Sequence, residues 1–334
     1  METNETPVCF GPEGTLIGIL TQPVGSTSKV GCLLLNTGVN HRIGPRRINV
    51  KAARRLAGNG IPSLRFDLSG VGDSRASSGQ NDFRRQAVLD MQAAPDHFQA
   101  ATGISEFIIF GICSGAANGM ALTLVDPRIV GLLMFDSEIY LSRRVRIERK
   151  LRRWAAFPFN PTLRMSFPAW TDWAAWARAP FDAQARARAL GRLSGRLAPK
   201  TTAETGILAA DSIEYKASDY QRDMMLLVER GIDIYMMYSA TLNVVDHGRD
   251  LLSGLGDAPF LQRVRYKFWP DIDHTVTLID AQRRLLDEVV LWADGVAAAR
   301  RGAALATAGK GMAPPAPQAG VTRASTLNTA SAIF

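Results

Sequence analysis

The chain has 334 residues, 46% of them apolar, enough for one large α/β domain with an insertion or for two small domains. Its net charge is +8, no run approaches the roughly 18 consecutive apolar residues of a membrane span, and the N-terminus lacks the basic start and apolar core of a secretory signal. The three cysteines, Cys9, Cys32 and Cys113, are too few and too widely spaced for a disulfide framework or a zinc pattern, and they point to the cytoplasm.

In chain order, residues 8–22 predict two short strands around a Gly/Pro turn. The continuous apolar run at 29–38 predicts a strand buried on both faces. A helix follows at 46–60, with Gly60 suited to its C-terminal cap. Residues 61–74 predict a strand and a Gly-rich loop, and 82–101 a helix that Pro95 breaks or kinks. A strand at 106–111, a helix at 114–125 and a strand at 128–136 continue the alternation.

The rhythm stops over 140–205, a segment punctuated by Pro158, Pro161, Pro168 and Pro180. It carries four of the six tryptophans, and from Leu141 to Lys200 it holds fourteen Lys/Arg against three Asp/Glu. Such a surplus suits an anionic substrate or membrane surface, or simply a solvated helix face. The rhythm returns with a helix at 216–230, a strand at 232–239, a short helix near 247–255, a strand at 264–269 and a helix at 276–295. The Ala/Gly/Thr/Pro-rich tail predicts disorder. The expected organisation is a core first part at 1–139, a basic Trp-rich helical cap at 140–205, a core second part at 206–297 and a disordered tail at 298–334. Alternation of this kind predicts an α/β fold, a mostly parallel sheet covered by helices on both faces.

Gly111-Ile112-Cys113-Ser114-Gly115 has the G-x-nucleophile-x-G spacing of a nucleophile elbow, where strand and helix approach too closely for side chains at the flanking glycines. Cys113 takes the nucleophile position, although most free cysteines are merely small buried hydrophobes. The base candidate is His274, between the last strand and the last helix. Among the other histidines, His41 is placed to line the pocket, His97 reads as structural and His247 as a surface residue. For the third member, Asp246 is the first carboxylate after the 232–239 strand; Asp136 and the amide of Asn243 are the alternatives. Oxyanion support is expected from Thr37 and Gly38, after an early strand, and from the backbone N–H of Ser114. The Gly-rich 67–74 loop lacks a phosphate-loop pattern, and neither a metal nor a cofactor is indicated.

These segments resemble the α/β-hydrolase superfamily, nearest to the hydrolases associated with the bacterial exosortase A system and to serine aminopeptidase-like hydrolases. The likeness lies in residues 33–74 with Arg42-Ile43-Gly44 and the Arg65–Ser74 run, in "FGICSGA" (110–116) and in "DIDHTVT" (271–277). It covers roughly 10–140 and 205–295 and fades over 140–205, where such proteins carry a variable cap. The resemblance implies a nucleophile at Cys113 in place of the commoner serine, a catalytic His274, and oxyanion support around Thr37–Gly38 and Ser114. No carboxylate follows "MMYS" directly, since Ala240 to Asn243 are uncharged.

The expected activity is hydrolysis of an ester or thioester through an acyl-Cys intermediate. An acyltransferase and a non-catalytic binding protein of the same fold are the alternatives. Expected partners are an acyl substrate, carrier- or coenzyme A-linked in one version, and an anionic membrane surface touched by the basic segment. Nucleic acid is not expected, because the charge surplus is local and no motif accompanies it.

Overall fold

A computed structural model describes residues 3–25, 27–79, 81, 83–137, 147, 151, 217–239 and 258–310. The expected cap, except for residues 147 and 151, the short helix near 247–255 and the tail beyond 310 lie outside the described residues.

Eight strands form one sheet: β1 (Thr3–Phe10), β2 (Leu16–Pro23), β3 (Val30–Leu34), β4 (Ser63–Phe66), β5 (Glu106–Ile112), β6 (Ile129–Phe135), β7 (Asp233–Ser239) and β8 (Arg265–Trp269). Their spatial order is β1-β2-β4-β3-β5-β6-β7-β8. β2 runs antiparallel to both of its neighbours, and every pair from β4 to β8 is parallel. Among the described residues five α-helices flank the sheet: α1 (Ile48–Gly58), α2 (Phe83–Thr102), α3 (Ser114–Val125), α4 (Ala217–Glu229) and α5 (Ile279–Lys310). This is the α/β-hydrolase fold.

The apolar runs become central strands because both of their faces are covered. On β3 and its extension, Leu33 and Leu35 pack with α2, α3 and α4, whereas Cys32 and Leu34 pack with α1 and α5. On β5, Ile109 joins the first layer, and Ile108 and Phe110 join the second. The period of two thus feeds two separate cores from one strand. β1 lies at the sheet edge and keeps most of its residues at least partly exposed.

Two expectations need correction. Pro95 does not break α2, which runs continuously from Phe83 to Thr102. Met91, Ala94 and Phe98 are all buried against the sheet, and their packing outweighs the one backbone hydrogen bond that proline forfeits. The C-terminal helix also does not stop at 295–297. α5 extends to Lys310, into what reads as the start of the tail, and Arg300 on that extension pairs with Glu106 at the start of β5.

In a parallel sheet the loops at the carboxyl ends of the strands converge. The turns after β3, β5, β6, β7 and β8 therefore share one edge, and every described residue singled out for chemistry sits there.

Candidate active site

The turn after β5 is built as its spacing requires. Cys113 has φ 56° and ψ −120°, a conformation that non-glycine residues rarely adopt, and it caps α3 at its N-terminus. A Cβ on Gly111 would collide with the backbone carbonyl of Gly115, and one on Gly115 would lie 2.5 Å from the Asn36 carbonyl oxygen. Both glycines are therefore obligatory, and the sharp bend they permit leaves the partly buried Cys113 at the positive end of a twelve-residue helix.

His274 follows β8, in a loop tied by one carboxylate. Asp273 accepts from the backbone N–H of Thr275 (3.2 Å) and Thr277 (2.8 Å) and from their hydroxyls (2.7 and 2.9 Å). Burial opposes ionisation of Asp273, but these four hydrogen bonds hold its carboxyl below the usual range. The tied loop sets the His274 ring beside Cys113, near enough to lower the pKa of its thiol.

The ring's Nδ1 lies 2.8 Å from Asp136 Oδ2. Asp136, in the turn after β6, has a positive φ of 51° and is buried. It also accepts from the backbone N–H and the hydroxyl of Ser239, each at 2.6 Å, while its own N–H donates to the Met237 carbonyl. The carboxylate that meets His274 is thus Asp136, one of the two alternatives to Asp246. Asp246 and Asn243 lie outside the described residues. β6 and β7 end side by side, so a carboxylate from either strand end can reach the same place; here β7 supplies Ser239 as its clamp. Ser239 escaped the sequence reading, although its position at the last residue of β7 was the available signal.

The charges on this series follow from its contacts. The Asp136 hydrogen bond, then the Cys113 hydrogen bond, push His274 up to about 10 against the opposing effect of burial. The His274 hydrogen bond holds the Cys113 thiol below its ordinary value, again against burial, with the Ser114 backbone N–H assisting. Together these favour a thiolate–imidazolium pair. Cys32, fully buried in the second core, has its thiol pushed far up by burial, against a smaller opposing effect of the Phe110 backbone.

Thr37 and Gly38 lie on the loop after β3, beside the start of α3. Gly38 (φ 56°) donates its N–H to Ser114 Oγ at 2.6 Å, and the Thr37 hydroxyl is buried with no partner among the described residues. Two strand-end loops are thereby tied together next to Cys113. His41 does not meet Cys113 in any recorded contact; its Nε2 lies 2.8 Å from Arg42 Nη1 and 3.3 Å from Asp73 Oδ2. His97 stacks on Phe10 with ring centroids 5.1 Å apart, a packing role as expected, and His247 lies outside the described residues. His41, Asp67 and Asp73 bring potential ligand atoms within 4.8 Å of one another, but Arg42 Nη1 lies 2.5 to 2.8 Å from all three and takes the place of a cation.

No family model matches the sequence, and no curated protein matches it. Among solved structures, the chain is similar to a dienelactone hydrolase from Anabaena variabilis at 12% identity, with a TM-score of 0.48, covering 87% of this chain and 97% of that one. It is similar to an α/β serine hydrolase homologue from Coxiella burnetii at 12% identity and TM-score 0.49, covering 87% and 97%. A thioesterase domain from the curacin biosynthetic pathway stands at 15% identity and TM-score 0.49, covering 87% and 100%.

Proposed function

We propose that the protein is an acyl-transferring enzyme that cleaves an ester or thioester through an acyl-Cys113 intermediate. The observation that carries this reading is the buried Asp136 held 2.8 Å from His274 Nδ1, with that ring beside Cys113 at the N-terminus of α3. The Cys113 sulfur attacks the carbonyl carbon, and the carbonyl π electrons move onto oxygen. The backbone N–H groups of Ser114 and Thr37 are the donors offered to that oxyanion, since the Gly38 N–H is held by Ser114 Oγ. Collapse re-forms the carbonyl and expels the leaving oxygen or sulfur, which takes a proton from His274. Water, deprotonated by His274, then attacks the thioester, releasing a carboxylic acid and regenerating the thiolate. Asp136 holds the ring's orientation and stabilises its positive charge throughout.

The intermediate is a thioester, an activated acyl group, so an alcohol or amine can replace water as acceptor. The test is exposure of the protein to short- and long-chain p-nitrophenyl esters and acyl-thioesters, with intact-mass detection. The reading expects an acyl adduct on Cys113, lost in Cys113→Ala, slowed in His274→Ala, and turned over with release of acid. Added alcohols that increase product release and appear in the product identify transfer. A folded wild type that forms no adduct with any of these acyl donors overturns the reading.

The basic stretch from Leu141 to Lys200 favours an acyl donor with an anionic portion, such as the phosphates of coenzyme A or of a carrier arm. Raising salt from about 50 to 500 mM is then expected to raise KM for an acyl-coenzyme A several-fold and leave KM for a neutral ester unchanged, because screening acts on the charged contacts alone. Equal salt effects on both would remove this part. Binding to anionic vesicles is the corresponding assay for membrane contact.

A further inference from the structure

Behind the Thr37–Gly38 loop lies a buried polar cluster that makes no recorded contact with Cys113, His274 or Asp136. Asn36 and Asp67 are its centre, and both are buried. The Asn36 side chain accepts from the Leu68 N–H (3.1 Å) and donates to the Asn40 carbonyl (2.8 Å) and to Asp67 Oδ1 (3.2 Å). Asp67 accepts from the Arg42 N–H (2.5 Å), from Arg42 Nη1 (2.5 Å) and from the Asp73 N–H (3.2 Å). Ser74 Oγ donates to the Asp67 carbonyl (2.7 Å) and accepts from the Ile17 N–H (2.9 Å), which ties the cluster to β2. Gly72, at φ 56°, passes so close to the Asp67 carboxylate that a Cβ there would collide with it.

The loop from 36 to 42 is therefore clipped at both ends to one carboxylate, through the side chain of Asn36 and through both the backbone and the guanidinium of Arg42. Between the clips sit Thr37 and Gly38. The backbone of Asn36 packs directly on Gly115, next to Ser114. Burying a carboxylate costs several kcal/mol unless it is fully hydrogen-bonded. A hydrophobic plug would hold these loops together as well. What it would not do is fix the direction of the Thr37 backbone N–H to a fraction of an ångström.

We propose that Asn36 and Asp67 are positioning residues for oxyanion stabilisation, an amide–carboxylate clip that aims the Thr37 backbone N–H at the carbonyl oxygen attacked by Cys113, while the Gly38 N–H holds the loop to Ser114 Oγ. The inference rests on the acyl-transfer reading above. It separates two reactions of the same sulfur. Alkylation by iodoacetamide needs the thiolate and forms no oxyanion; acylation by p-nitrophenyl acetate needs the oxyanion held.

The test measures both rates, across pH, for wild type, Asn36→Ala, Asp67→Asn and the milder Arg42→Lys. Acylation is expected to fall about 10- to 100-fold in the first two variants, the scale of a misdirected hole donor, and a few-fold in Arg42→Lys. The alkylation rate and its pH profile stay within about twofold of wild type. Unchanged acylation, or a parallel fall in both reactions, overturns the proposal. Should the two buried substitutions prevent folding, Arg42→Lys decides by the same comparison. A wild type that alkylates but never acylates overturns the acyl-transfer reading and this inference with it, an outcome distinct from a wild type that acylates as fast as its variants.

Discussion

At the residue scale, Cys113 differs from Cys32 only in where the chain puts it. One thiol is sealed in an apolar core and held protonated; the other meets an imidazole at a helix N-terminus and is biased to the thiolate. The sign of the pH dependence follows. Below the lowered Cys113 value the sulfur is protonated and cannot attack; above about 10, His274 has lost the proton that the leaving group needs. Turnover is expected to follow a bell, rising at a pH below the 9.0 of an ordinary thiol and falling near 10. Iodoacetamide alkylation should show the rising limb without the fall. Coincidence of its midpoint with an unperturbed thiol would mean that the pair does not form. Asp136→Asn keeps the shape of the His274 and Ser239 contacts and removes the charge. It is expected to lower acylation about 10²- to 10⁴-fold and move the alkylation midpoint up, both readable by stopped-flow and mass spectrometry.

At the element scale, the site is a set of strand ends whose loops are individually rigid. Gly111 and Gly115 let α3 leave β5 at the necessary angle. Gly111→Ala forces the two apart and is expected to cost about 1–3 kcal/mol, seen as a lower Tm together with loss of acylation. A variant as stable as wild type would show that the turn has slack. The loop of His274 depends on Asp273, whose four bonds to Thr275 and Thr277 also accommodate the positive φ of 49° at Val276. Removing them with Asp273→Ala should lower turnover about tenfold or more and change the Cys113 alkylation profile, because the imidazole would no longer be held beside the sulfur. The elbow was legible because its residue types serve local backbone geometry, glycines at fixed spacing, and His274 was legible from its place between the last strand and the last helix; the Asp273 tie was not. The acid was harder to read. Asp136 meets His274 across 138 positions of sequence, and nothing near either residue encodes that meeting.

At the scale of the whole molecule, the chemical groups gather at the carboxyl ends of the strands, and a large packed aromatic sits near their opposite ends. Trp292 on α5 is buried against Gly131 of β6 and donates to Asp233 at the first residue of β7, far along the strands from the turns that carry Cys113 and Asp136. Trp292→Ala is expected to cost about 3–5 kcal/mol, lowering Tm by calorimetry, while kcat measured well below that Tm stays within about twofold. The strand–helix alternation, the two-faced burial of β3 and β5, and the elbow spacing all follow from periodicity and local sterics, and the amino-acid sequence determined them by itself. Other features waited on the three-dimensional arrangement. Burial of Met91, Ala94 and Phe98 carries α2 through Pro95, and the parallel pairing of β6 with β7 sets Asp136 against Ser239 and His274. A hydrogen bond between residues a hundred positions apart leaves no local trace, since its energy depends on distances that only the packed sheet defines; the tertiary structure therefore chose the partner of His274.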